Sequence, residues 1–358
     1  MEQDQTQDLQ GQLRAAAAAG TPLNLRGAGS KPFLGRAASG TPLDLASHNG
    51  IVNYHPKELV ITARAGTSLD AVAAALAEHG QGLPFEPPRL GPGATLGGTI
   101  ACGLSGPARP YAGSARDYVL GTRVLTGRGE ILRFGGEVMK NVAGYDISRL
   151  MTGAMGTLGV LLEVSLKVLP VAAAERTQAL EMDQAAAIAT MNAWAGRPLP
   201  ITATCWSSGR LLVRLSGAAT AVDQAASQVG GEPVAEGDAF WRDQIREQGH
   251  PFFVGEAPLW RLSVPPATPP LNLQGMGQTA TLVEWGGAQR WVHANLEAGK
   301  VRDQIAALGG QATLFRGGTR TGAVYHPLAP ALMRLHRNLK RAFDPQGLLN
   351  PGRLYSDL

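Results

Sequence analysis

At 358 residues, 44% of them hydrophobic, the chain is long enough for two domains and can bury a full core. Its net charge of +4 is small, and its Lys and Arg residues are scattered without a basic run or interleaved aromatics, which excludes nucleic acid as a partner. Only Cys102 and Cys205 occur, without C-x-x-C spacing, so no disulfide, no metal site and no iron–sulfur cluster held by this chain alone is expected.

The amino-terminal residues are acidic and amide-rich rather than basic and then apolar, and no apolar run has the length of a bilayer span. They predict a cytoplasmic chain that reaches a membrane only through partners. An alanine-rich helix is predicted over 8–19, closed by Gly20, then a strand over 22–25. The strand runs into Arg26-Gly27-Ala28-Gly29-Ser30-Lys31, where two glycines around an alanine can form a nest of backbone N–H groups for pyrophosphate oxygens. It is not the phosphate loop of nucleoside triphosphatases, because the four-residue gap before Gly-Lys-Ser/Thr is missing.

A strand over 59–65 precedes a helix that Thr67 and Asp70 open in the manner of a capping box, with Leu69, Val72 and Leu76 on one face and Gly80 at its end. Proline-rich residues 83–88 cross into a second lobe, where Thr95 stands at the entrance of a short helix. Thr95-Leu96-Gly97-Gly98 leads into a small-residue run through Gly103, Ser105 and Gly106, and a hairpin is predicted over 119–126 and 130–134. Two further clusters follow, Lys140-Asn141 with Gly144-Tyr145-Asp146, and Gly156-Thr157-Leu158-Gly159-Val160. Glycines this dense beside strong strand and helix patterns mean that backbone approaches a phosphate or something large and flat, as in a dinucleotide site. Residues 160–168 alternate, with Leu162, Val164, Leu166 and Val168 on one face and Glu163, Ser165 and Lys167 on the other, and predict a half-buried strand.

From Val171 the texture changes to helices at 183–195, 219–229, around Trp241 and at 301–308, among strands at 202–206, 210–215, 259–264, 279–285, 290–294 and 312–315. Such an alternation predicts an α+β domain with an antiparallel sheet. The tail is a helix over 330–343, with Leu332, Leu335, Leu339 and Phe343 near one face, and a turn-rich clasp from Asp344 to Gly352. Three parts are expected: 1–170, with lobes of about 1–86 and 87–170; 171–325; and 326–358.

Taken together, Arg26 to Lys31, Thr95 to Gly98, Lys140-Asn141 with Gly144-Tyr145-Asp146, Gly156 to Gly159 and the closing Asp344-Pro345 with Asn350-Pro351-Gly352 resemble the vanillyl-alcohol-oxidase or PCMH-type FAD flavoproteins over nearly the whole chain. Within them the chain is most similar to the FAD-binding subunits of bacterial glycolate oxidases, above all from Val138 to Pro170. The resemblance implies an α+β fold: a two-lobed FAD-binding domain, a smaller antiparallel-sheet cap domain and a carboxy-terminal helix. It assigns Arg26, Gly27, Ala28, Gly29, Ser30 and Lys31 to the pyrophosphate, and Thr95, Gly97 and Gly98 to a second phosphate and flavin contact. Ser105 and Gly106 fall along the isoalloxazine, Gly113 at a close backbone passage, and Gly156 to Val160 at the adenosine end. Some relatives attach FAD through a histidine where this chain has Ser30, so non-covalent FAD is expected.

The implied partners are a longer FAD-containing subunit and an iron–sulfur subunit. The implied reaction is oxidation of glycolate, a small 2-hydroxy acid, to glyoxylate, with hydride moving to the flavin, a base taking the hydroxyl proton and a cation holding the carboxylate. Longer flavin subunits carry a His-x-Gly-Asp-Gly-Asn-x-His segment that this chain lacks, and its seven histidines form no close pair at metal-ligand spacing. No catalytic residue is therefore assigned. His326, Arg316 and Arg320 are read as loop residues before any role in a pocket, Lys140 and Tyr145 as flavin-site or loop-anchoring groups, and Trp241 and Trp260 as core or interface aromatics. The leading hypothesis is a supporting or electron-transferring FAD subunit; the alternative is a self-sufficient FAD-dependent 2-hydroxy-acid dehydrogenase with an unrecognised base. An NADPH-dependent reductase of cell-wall synthesis, with a similar FAD fold, matches the motifs and tail less well.

Overall fold

Helix Thr6–Ala19 buries Leu9, Leu13 and Ala16, one stripe of a helical period, and stops where Gly20 turns left-handed at φ 62°. In the computed structural model, which describes residues 3–136, 146–275 and 281–358, the chain divides into two units. The first holds Met1–Ser105, Ser114–Val171 and Arg320–Leu358; the second holds Gly106–Gly113 and Ala172–Thr319. Residues 140–145 of the second glycine cluster and the start of the strand expected at 279–285 lie outside the described residues.

The first unit is built on a five-stranded antiparallel sheet in the order Ile51–His55, Val60–Arg64, Val160–Lys167, Val119–Leu125, Ile131–Gly135. The lobe boundary expected near 86–87 runs through this sheet, because Val60–Arg64 pairs directly with Val160–Lys167. One face packs Ile61, Ala63, Val164 and Leu166 against Leu69, Val72 and Leu76 of helix Leu69–Ala77 and Leu96 and Ile100 of helix Leu96–Cys102. The cap of the first of these helices is Ser68, whose hydroxyl accepts from Ala71 N at 3.1 Å, rather than Thr67, whose hydroxyl is bound to the backbone of Gly50.

The half-buried strand expected at 160–168 is covered on both faces: Glu163 is 7% exposed and Ser165 8%. Register shifts between Val124/Leu161 and Arg123/Glu163 leave Leu162 as an extra residue, a β-bulge. The bulge sends Leu162 into the core with Leu9 and Leu13, while Val164 and Leu166 stay in the other. Its carbonyl accepts from Ala65 N at 2.8 Å and from Nε2 of the fully buried His48 at 3.0 Å. On the outer face Glu163 accepts from Arg123 at 2.7 Å and Arg133 at 3.2 Å, and Ser165 shares a 2.8 Å hydroxyl bond with Thr62.

The second unit is an eight-stranded antiparallel sheet, which with its helices makes the fold α+β. Helices Gln184–Ala195 and Ala219–Val229 bury Ile188, Met191, Val222 and Ala225 against Leu211, Val213 and Val283. Trp241 lies in a π-helical stretch, Phe240–Arg246, and donates to Thr177 Oγ1 at 2.9 Å; Trp260 is core. Gly106–Gly113 joins this unit through Trp285, whose Nε1 donates to Gly106 O at 3.2 Å while the Arg109 guanidinium stacks 4.6 Å from its ring.

Helix Pro330–Phe343 returns to the first unit. Leu339 and Phe343 pack on its core, but Leu332 and Leu335 are 43% and 53% exposed, and the fully covered position of the helix is Lys340. The apolar face expected from periodicity is therefore rotated, because Lys340 turns inward to Asp344 at 2.7 Å.

Candidate functional site

The short parallel pair Leu23–Arg26 and Thr41–Asp44 ends at a loop, and that loop forms one wall of a cavity of about 650 Å³ in the first unit. Its size lies in the range of small-molecule and cofactor sites. Arg26, Gly27, Ala28, Gly29, Ser30 and Lys31 all line it. Gly29 adopts φ 70°, a left-handed turn that glycine takes without strain. Among the described residues, the N–H groups of Ala28, Gly29 and Ser30 donate to no protein acceptor. Successive backbone N–H groups left open in such a glycine turn can form a nest that receives an anion.

A second wall is helix Leu96–Cys102, whose start packs against that loop and where Thr95 accepts from Gly98 N at 3.2 Å as the N-cap. Thr95, Gly97 and Gly98 line the cavity. The leading N–H groups of this helix are already used: Leu96 N donates to Thr67 O at 2.8 Å and Gly97 N to Ala65 O at 2.7 Å. These glycines therefore offer bare Cα surface rather than hydrogen bonds. A Cβ on Gly97 would meet Ala65 Cβ at 2.6 Å, whereas one on Gly98 would meet only Thr95 Oγ1, at 3.1 Å, and otherwise points into open space.

A third wall comes from residues 151–161 and the tail. Gly156 lines the cavity at φ 73°, and a Cβ there would strike Asn350 Nδ2 at 2.7 Å. Asn350 accepts from Leu25 N at 2.7 Å and donates to Met155 O at 2.6 Å, which ties tail, strand and wall together. Cys102, Asn350 and Arg353 also line the cavity and were not selected from sequence, although Asn350-Pro351-Gly352 already stood out as a motif. Burial pushes the Cys102 thiol above its ordinary pKa and the Arg353 guanidinium below its own.

The remaining expected residues lie elsewhere. Ser105 accepts from Ala115 N at 3.0 Å and is outside the cavity lining. Gly106 and Gly113 belong to the second unit, and Val160 is fully buried with Leu9, Leu13 and Leu125. Arg316 ends strand Gln311–Arg316 and donates to Gln248 at 2.6 Å, and burial lowers its pKa, so it is no solvated loop arginine. Arg320 is half-buried with a pKa likewise lowered by burial, and His326 O accepts from the Tyr355 hydroxyl at 3.1 Å. Among the described residues no group of three or more His, Cys, Asp and Glu is placed to hold a metal.

N–H groups without a protein acceptor in a glycine turn, the bare Gly98 surface and a cavity of about 650 Å³ that both line fit a dinucleotide with a pyrophosphate, the cofactor type of the FAD-linked oxidase class. Family models agree: residues 2–135 match the FAD binding domain, and residues 317–354 match the C-terminal domain of FAD linked oxidases. FAD is the cofactor. The chain is 47% identical over 355 residues to the glycolate oxidase subunit GlcE of Escherichia coli (strain K12), covering 99% of both chains, and it belongs to that family. It is also 36% identical over 124 residues to the glycolate oxidase subunit GlcD of Bacillus subtilis (strain 168), covering 34% of this chain and 26% of that one. In three dimensions it resembles an alkyldihydroxyacetonephosphate synthase, with a TM-score of 0.69 and 15% identity over 97% of this chain and 76% of the other, a likeness of fold alone.

Proposed function

We propose that this chain is the FAD-bearing subunit of a glycolate oxidase complex, that it holds FAD without a covalent bond, and that it supports assembly or electron transfer while a longer flavin subunit oxidises the 2-hydroxy acid. Family membership supports the glycolate oxidase assignment, and a relative named as a second glycolate oxidase subunit supports a complex of several chains. An iron–sulfur subunit is the further partner in this reading. No helix among the described residues is long and apolar enough to cross a membrane, so attachment at the inner face of a membrane is assigned to the partners.

FAD, when bound, supplies the two-electron chemistry. The chain's own groups bind and orient it. The N–H groups of Ala28, Gly29 and Ser30 would receive the pyrophosphate, Lys31 and Arg353 would add positive charge, and the Gly98 surface would leave room for the cofactor. One observation separates binding from catalysis: among the described residues, the titratable groups lining the cavity are Arg26, Lys31, Asp44, Cys102 and Arg353, with no histidine. Asp44 accepts from Ala46 N at 2.8 Å, and the raised pKa of Cys102 keeps it a neutral thiol.

Anaerobic addition of glycolate to the purified, FAD-loaded chain tests this. The visible flavin band is expected to persist, and to bleach only when the longer subunit is added. Bleaching by glycolate alone would establish a self-sufficient dehydrogenase instead. Acid precipitation of the loaded chain is expected to leave the flavin in the supernatant.

A further inference from the structure

The family resemblance read from the sequence implies cofactor contacts at the glycine clusters, and the geometry adds a fourth contributor in the last nine residues. We propose that Arg353 is a direct ligand of an anionic group of the FAD, and that the buried Lys340–Asp344 pair, acting through Asn350, is the device that positions it; the proposal rests on the FAD reading above.

Arg353 lines the cavity and no carboxylate among the described residues pairs with it. Its Nη1 donates to Arg36 O and its Nη2 to Pro32 O at 3.4 Å. A guanidinium has five N–H donors, so three have no acceptor among the described residues. Arg36 answers with Nε to Gly352 O at 2.8 Å and its N–H to Arg353 O at 3.0 Å, so the arginine's base is clamped while part of its head stays open. Burial lowers its pKa, so the charge sits in a poorly solvated place, and no carboxylate among the described residues pairs with it there. Buried charges are ordinarily paired, and the cavity's occupant is the group left to pair this one. The remaining charged wall groups, Arg26 and Lys31, have the same sign, and Asp44 is turned to Ala46 N.

The position of Arg353 is set three residues upstream. Lys340 Nζ spends its three hydrogens on Thr157 O at 2.9 Å, Asp344 Oδ2 at 2.7 Å and Leu349 O at 2.7 Å. Asp344 accepts in turn from Leu348 N at 3.1 Å and Leu349 N at 2.7 Å. One ammonium thereby pins the cavity wall at Thr157 and the tail at Leu349, on either side of Asn350. Asn350 takes the left-handed φ of 42° that turns the chain toward Arg353, and its amide is fully used by Leu25 and Met155. Lys340 and Asp344 touch no cavity space themselves; they position the residue that does.

The test is FAD titration of the purified full chain, read by flavin fluorescence, with the thermal midpoint of the FAD-free chain recorded beside it. Arg353→Met is expected to weaken FAD roughly 10- to 100-fold, the range of a lost charge-assisted hydrogen bond, and to flatten the salt dependence of binding. Arg353→Lys should recover part of the loss. An Arg353→Met protein that folds and binds FAD with wild-type affinity and salt dependence overturns the ligand role. Should Arg353→Met fail to fold, Arg353→Gln carries the same comparison. Asp344→Asn should weaken FAD through Arg353, so that the double variant binds no more weakly than Arg353→Met; additive losses overturn the positioning role. A wild-type chain that binds no FAD would instead remove the FAD reading itself.

Discussion

Gly98 separates charge from shape at the cavity. It is the third residue of helix Leu96–Cys102 after its Thr95 cap, where an acidic side chain favours the helix through the dipole and a capping box. Its added Cβ has one close neighbour, Thr95 Oγ1 at 3.1 Å, and otherwise faces the cavity. Gly98→Asp should therefore leave the fold intact while placing a carboxylate beside an anionic cofactor. For a phosphate charge about 5 Å away at an effective dielectric near 20, the repulsion is about 3 kcal/mol. That corresponds to roughly a 200-fold rise in Kd. Gly98→Asn has almost the same volume and no charge, so the Asp-to-Asn ratio isolates electrostatics from crowding. Both variants, purified and shown folded by circular dichroism, are to be titrated with FAD by fluorescence quenching. Equal FAD affinity in Asp and Asn variants would refute the placement of anionic cofactor next to this helix.

The neighbouring glycine should behave differently. Gly97→Ala forces a Cβ to within 2.6 Å of Ala65 Cβ, so its cost falls on the fold, about 1–3 kcal/mol, and is read as a lower thermal midpoint even without FAD. Ser30→Ala should weaken FAD by about 1 kcal/mol, one hydrogen bond, since its backbone N–H remains; a far larger loss would give the hydroxyl another task. Burial holds the folded pKa of His48 below its ordinary 6.5, so the stability it contributes is present above that value and lost as pH falls through the folded pKa. Half-buried His250 and His336 act with the same sign, so the thermal midpoint should drop between about pH 7.5 and about pH 5.5, and less steeply in His48→Leu. An unchanged slope in that variant would dissociate His48 from the acid response.

Local chemistry made part of this structure legible. The Arg26 to Lys31 turn, the Thr95 cap and the bounds of helix Pro330–Phe343 depend on short-range signals, glycine conformation, a capping hydroxyl and a proline start, and each stands where the sequence puts it. Long-range features did not show. The bulge at Leu162 is set by what the neighbouring strand and His48 offer, so simple alternation misassigned its face. By local pattern Lys340 is one more basic residue of the terminal helix, and its burial follows from Asp344 and the carbonyls of Leu349 and of Thr157, the latter far away in the chain. Gly106 and Gly113 sit in a small-residue run continuous with helix Leu96–Cys102, yet Trp285 draws that stretch into the second unit. No local pattern announces such a change of partner.

The central claim is that glycine turn, helix surface and tail enclose one flavin dinucleotide. Its most direct measurement is reconstitution: FAD added in steps to the purified, FAD-free full-length chain, with free and bound flavin counted at each step. Uptake that saturates at one FAD per chain, with a raised thermal midpoint, is predicted. A correctly folded chain that stays colourless and takes up no FAD would contradict the account.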